Sequence, residues 1–195
     1  MFDSALSARG PLGHHWADLA CFIRTKWRAV GCMDEDSVKI EIPEPSYTLF
    51  NAQRDGLPQV VVVNEALLSF QWTRLFSWHL RVCIEAEDLG EQGMPTSRES
   101  SLLFEVGDEI EKLVLEGRSA QGAENALFLA RSTWNGFRDL YFQIHDADVT
   151  DQALKDLIAS RSHRREWHYR ITEDPEWSEA AHIFQLFPST NGLDG

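Results

Sequence analysis

From Leu75 to Pro188 the sequence predicts an α+β fold: an antiparallel sheet with helices on one face, in the βαββαβ order of a ferredoxin-like sandwich. Three observations carry this expectation. Phe76, Trp78, Leu80, Val82 and Ile84 alternate with His79, Arg81 and Cys83, the period of two that a half-buried strand produces. Thr96 precedes Glu99 by three residues, the capping-box spacing that opens a helix. Asn135-Gly136 lies between two apolar runs, and that dipeptide favours a type I′ hairpin because both positions tolerate positive φ.

The elements follow in order. Residues up to Gly13 are small, polar and Gly/Pro-punctuated and read as a loose arm. Trp16, Leu19, Ala20, Ile23, Trp27 and Val30 then recur at helical spacing, closed by Gly31. Asp34-Glu35-Asp36 and Pro43-Glu44-Pro45 mark an acidic connector. Tyr47, Leu49 and Ala52, the turn Arg54-Asp55-Gly56 and the β-branched run Val60 to Val63 predict a hairpin that extends the sheet.

After the strand at Leu75 to Ile84, Leu102, Leu103, Val106, Ile110, Leu113 and Val114 form one helix face that ends near Gly117. Residues 126–133 and 137–145 are the arms of the Asn-Gly hairpin. Thr150-Asp151 is expected to cap a short helix through Leu154 and Leu157. Trp167, Tyr169 and Ile171 share one face of a last strand. Asp174-Pro175 reads as the N-cap and first turn of a final helix carrying Trp177, Ala181 and Phe184. The predicted organisation is an arm and amphipathic helix over 1–45, one α+β domain over 46–188 and a tail over 189–195.

Composition narrows the function classes. Hydrophobic residues make up 43% of the chain, enough for a packed core. Lys and Arg number 18 against 31 Asp and Glu, a net charge of -13. That sign repels nucleic acid and anionic membranes and favours a basic protein partner. The 3 cysteines, Cys21, Cys32 and Cys83, are too few and scattered for a disulfide framework, and the amino-terminal residues lack a secretory pattern. A cytoplasmic protein is expected.

No glycine-rich phosphate loop, HExxH, GxSxG or EF-hand pattern is present, and no cofactor is expected. His163, His168, Glu173 and Asp174 form a conceivable two-His, two-carboxylate metal set, though their spacing follows no known ligand grammar. Arg138 and Asp139 are neighbours on a strand and must face opposite ways. Arg138 is expected to pair with a carboxylate across the hairpin. Trp134 at the turn either packs under the neighbouring helix or stands as a binding anchor. Glu105, Asp108, Glu109 and Glu111 line the outer face of the capped helix. With Glu85, Glu87 and Asp88 they are candidates for an acidic patch that meets a basic partner.

Three segments together resemble a bacterial family, the domain of unknown function 695. They are Gly93-Met94-Pro95 leading to Glu99, residues 132–142 around the Asn-Gly-Phe-Arg hairpin, and Asp174-Pro175-Glu176-Trp177. The resemblance spans about Tyr47 to Pro188 and leaves out the Trp16–Val30 helix. It implies an α/β sandwich and no established activity. The family itself is distantly similar to the type-B inhibitor of ribonuclease E, an acidic protein that restrains an enzyme. The expected function is therefore a non-enzymatic, acidic protein-binding protein, an inhibitor or immunity protein that neutralises a basic enzyme or toxin. Competing readings are a metal-dependent hydrolase using His163 or His168, and a small-ligand module on an open sheet face.

Overall fold

A computed structural model describes residues 40–120, 122–161 and 163–188. The Trp16–Val30 helix lies outside the described residues. These residues form a mixed α/β fold with one six-stranded antiparallel sheet. Its strands are β1 (Tyr47–Arg54), β2 (Leu57–Asn64), β3 (Trp78–Glu85), β4 (Ala126–Trp134), β5 (Phe137–Ile144) and β6 (Trp167–Glu173). The helices are α1 (Ser97–Glu116), α2 (Ala147–Ser160) and the single turn α3 (Ala181–Phe184). No described helix is long and apolar enough to cross a membrane.

The strand order is β1-β2-β4-β5-β3-β6. It is not that of a simple four-stranded βαββαβ sheet, because the β1–β2 hairpin joins the edge at β4. Both hairpins take the positive-φ geometry that their sequences demand. Asp55 and Gly56 sit at φ 52 and 77, and Asn135 and Gly136 at φ 46 and 81, so the turns match the right-handed twist of their strands.

One face of the sheet packs on α1 and α2. Leu80, Val82, Ile84, Phe128, Leu140, Phe142 and Ile144 meet Leu103, Val106, Ile110 and Val114 of α1 and Leu154 of α2. Each such side chain contributes about 1.5–3 kcal/mol on burial. The other face is not open. Val61, Val63, Leu127, Leu129 and Tyr141 are covered by Leu67 and Phe76 of the β2–β3 connection and by Trp177, Ala180 and Ile183 after β6.

Phe76 was expected to share a strand face with Leu80. It instead precedes β3 and belongs to the second core, because two short 3-10 turns at 65–69 and 73–75 fold the connection back over the sheet. A bulge between Phe128 and Ala130 changes which side chains of β4 face the helices. Before it Ala126 and Phe128 face them; after it Arg131 and Thr133 do, opposite Leu140 and Arg138.

Two caps differ from expectation. Asp146, not Thr150-Asp151, caps α2 and accepts the amides of Asp148 and Val149. Thr150 is buried in the first turn and takes a hydrogen bond from the Asn125 amide. Asp174-Pro175 opens a tight turn rather than a helix. Asp174 accepts from the Ser178 and Glu179 amides at 2.7 and 3.0 Å. Trp177 then sits at φ 56 with its indole N–H on the carbonyls of Thr73 and Phe76, a backbone that no helix continues.

The Asn135-Gly136 turn is docked on both sides. The Gly136 amide donates to the Gly93 carbonyl at 2.7 Å, and the Ala86 amide donates to the Gly136 carbonyl at 2.8 Å. A Cβ on Gly93 would lie 3.2 Å from the Asn135 Cα, whereas one on Gly56 would meet nothing within 4 Å. Their φ values are 76 and 77. Gly56→Ala therefore carries only the left-handed penalty of about 1–2 kcal/mol, and Gly93→Ala should lose roughly 1 kcal/mol more to backbone collision. Urea unfolding midpoints check this; equal losses would mean that the 86–95 loop is not held on the turn.

Candidate functional site

The register set by the turn decides where Arg138 and Asp139 point. Arg138 lies on the helix side with Leu140 and Phe142, and Asp139 lies on the opposite side, cross-strand to Ser132 and Cys83. Both are buried, at 3% and 6% exposure. The two faces treat them differently.

Asp139 is fully engaged. Arg81 grips it with two 3.0 Å bonds and the Tyr141 hydroxyl donates to it at 3.3 Å. Burial, reinforced by the Asp139 charge and hydrogen bond, pushes the Cys83 thiol up to about 12. The thiolate is the reactive form, so this cysteine is a poor nucleophile at neutral pH.

Arg138 has no carboxylate within ion-pair distance among the described residues. Its Nε donates to the Thr133 hydroxyl at 3.1 Å, while Nη1 and Nη2 reach the Ser100 carbonyl and hydroxyl at 3.4 and 3.3 Å. Its guanidinium lies 4.1 Å from the Phe104 ring centre, and Arg131 lies 4.9 Å from the same ring. Burial and then the neighbouring Arg131 charge lower its pKa to about 10, so it is still a cation at neutral pH. The expected cross-hairpin carboxylate is not there: its strand partner is Thr133.

Above Arg138 is a cavity of about 190 Å³. Arg131, Thr133 and Ser100 join Arg138 at the polar side, and Leu49, Val60, Val62, Met94, Pro95 and Phe104 form the apolar wall. On this wall Leu49 is 59% and Phe104 43% exposed. The docked turn places Met94 and Pro95 at the rim. Arg131 spends one nitrogen on Asp108 and Glu111 at 3.0 Å each, and its buried Nε has no hydrogen-bond partner.

The acidic candidates are not gathered into one bare patch. Glu85 lies on the β3 face away from the helices. Glu87 pairs with Arg165, Glu105 with Arg164, Glu109 with Arg161 and Asp108 with Arg131. Asp88 accepts the Thr96 hydroxyl. Trp134 packs under no helix. It lies half-buried on the other face, its N–H on the Arg54 carbonyl and the Arg54 guanidinium 4.3 Å from its ring centre. His163 donates its Nε2–H to the Leu157 carbonyl and packs on Trp167, while His168 occupies the opposite face of β6. With Asp174 committed to its turn, these side chains do not assemble into a ligand set; among the described residues no three His, Cys, Asp or Glu do.

Glu99, expected only as the acidic member of the Thr96 cap and of a family motif, holds a buried ion pair instead. Its amide caps on Thr96 as expected, but its carboxylate does not return to the Thr96 amide, which the Asp88 carbonyl takes instead. Glu99, 2% exposed, receives Arg165 through two 2.6 Å bonds and the Glu87 amide at 3.1 Å. The partner is 66 residues away, too distant for any local pattern to announce.

The site thus described is a cleft over a buried cation in a mixed α/β domain. The chain belongs to the Family of unknown function (DUF695), whose model matches residues 46–180. No curated protein and no solved structure matches it.

Arg165 holds the Glu99 carboxyl below the usual range, chiefly through its hydrogen bonds. A depressed pKa stabilises the fold above the unfolded value of about 4.3 and loses that contribution as pH falls. Glu99→Gln should reduce stability at neutral pH by about 3 kcal/mol, the low end for breaking a buried pair. Its loss on acidification should also be shallower than the wild type's, measured by urea unfolding at stepped pH.

Proposed function

We propose that the chain is a non-enzymatic binding protein of the cytoplasm whose partner seats in the cleft between α1 and the β1–β2 hairpin. One observation carries this reading: the exposed apolar wall of Leu49 and Phe104 stands over the buried, carboxylate-free Arg138. Exposed aromatic and aliphatic groups around a buried polar anchor are what interface centres are made of. The acidic helix is a weaker candidate, since Glu105, Asp108 and Glu109 already hold arginines of the same chain.

The net charge of -13 still suits a basic partner by steering its approach. An inhibitor or immunity protein acting on a basic enzyme or toxin fits that field. The order of β4, β5, β3 and β6 with α1 and α2 supports a ferredoxin-like sandwich to which the first hairpin adds two strands.

Photo-crosslinking in the source cell tests the reading. A benzophenone amino acid placed at Leu49 or Phe104 should give one discrete protein adduct, and the same group at Ile158, exposed on α2, should not. Absence of an adduct from both cleft positions, or the same adduct from Ile158, rules the cleft out. Leu49→Glu should weaken association at least tenfold, the scale of losing one interface anchor.

A further inference from the structure

We infer that the floor of the cleft is an anion site for a carboxylate carried on an apolar stem, with Arg138 as its principal ligand, Arg131 beside it and Phe104 beneath. The inference rests on reading this cleft as a binding site and names the group it receives.

Acids outnumber bases in this chain, 31 to 18, and its other partly buried arginines have found carboxylates. Arg131 has Asp108 and Glu111, and Arg165 has Glu87 and Glu99. Arg138, more buried than either, has none among the described residues. An isolated buried charge is strongly unfavourable. Two hydroxyls, a carbonyl and one ring are modest compensation, and two of the three hydrogen bonds are as long as 3.3 and 3.4 Å.

A guanidinium has five N–H donors in a planar fork. Three are spent on these bonds, which leaves two beside a cavity that Arg138 itself lines. Arg131 lines the same cavity and adds a second positive charge there. Phe104 bridges the two guanidiniums and orients both. The fork matches a planar carboxylate.

Size and polarity settle the rest. About 190 Å³ is below the 300–1,000 Å³ of a drug-sized ligand's pocket, so it takes one group and not a cofactor. Leu49, Val60, Val62, Met94 and Pro95 would lie against a short aliphatic stem and would leave the outer oxygens of a phosphate unbonded. Such a carboxylate has two sources, a free short-chain acid or the carboxyl terminus of a partner protein ending in an apolar residue.

The test uses the full chain and amide NMR with sodium hexanoate as probe. Saturable shifts are expected at Ser100, Thr133, Leu49 and Met94, with a dissociation constant on the order of 1 mM. Hexanol, hexylamine and inorganic phosphate should produce no saturable shifts there. Arg138→Gln should lower the affinity at least tenfold. Should that variant not fold, Leu49→Glu, on an exposed edge position, should abolish binding by offering the site a carboxylate of its own.

A leucine-ended peptide with a free terminus that displaces hexanoate, while its amidated form does not, assigns the site to a partner's carboxyl end. Hexanoate binding without peptide binding assigns it to a free acid. No saturable shift with hexanoate at about ten times the expected constant overturns the inference. So does phosphate binding as well as hexanoate. Failure here alongside intact crosslinks from Leu49 and Phe104 would leave the cleft a binding surface of other chemistry. Hexanoate binding with no crosslinks would keep the anion site and remove the protein partner.

Discussion

A two-residue turn fixes the register on which both polar clusters of this sheet depend. Asn135 and Gly136 adopt the left-handed conformations of a type I′ hairpin, and the tip is clamped between the Gly93 carbonyl and the Ala86 amide. Side chains on a strand alternate strictly, so slipping the β4–β5 pairing by one residue would exchange the faces of every group on β5. Arg138 would then lie against the second apolar core and Asp139 against Phe104. Clamping the tip from outside the sheet makes such a slip more costly than the hairpin's own hydrogen bonds would.

The two faces resolve the same difficulty, a buried charge on a central strand, in different ways. Asp139 is matched by a bidentate arginine, a tyrosine and a thiol, and the result is a closed network with nothing left to donate. Among the described residues Arg138 receives neutral oxygens and a ring. Closed networks stabilise and specify a fold; incomplete ones mark a place where the fold accepts a penalty for another purpose. The contrast lies between two consecutive residues of one strand, buried to a similar depth on opposite faces.

Local signals made much of the fold legible. Both hairpin turns, the Thr96 cap, the Gly117 stop and the strand carrying Leu80, Val82 and Ile84 follow from spacing and turn chemistry that act over a few residues. What escaped depends on distant contacts. Phe76 continues the alternation of β3 on paper, but the second core takes it. Asp174-Pro175 carries a helix-start grammar, yet Trp177 is held at positive φ by carbonyls a hundred residues earlier. The bulge at Phe128–Ala130 has no sequence mark, and without it Arg131 and Thr133 would face away from the cleft. Arg138 and Trp134 were legible as residues of interest; that one is buried without a counterion and the other clamped by Arg54 was not.

The acidic excess teaches a related point about charge. Counting 31 acids against 18 bases suggests a negative face, and α1 supplies one on a helical wheel. In space that face is laced with Arg131, Arg161 and Arg164, and exposed pairs of this kind contribute about 0–1 kcal/mol each while cancelling most local field. The net charge therefore acts at long range, over roughly a Debye length of 8 Å and beyond the contact surface. The buried guanidinium acts at contact, where screening by salt is weak. The two terms have opposite signs and do not compete, because they operate at different distances. A partner that is basic overall and presents a carboxylate on an apolar tip satisfies both, drawn in by one term and oriented by the other.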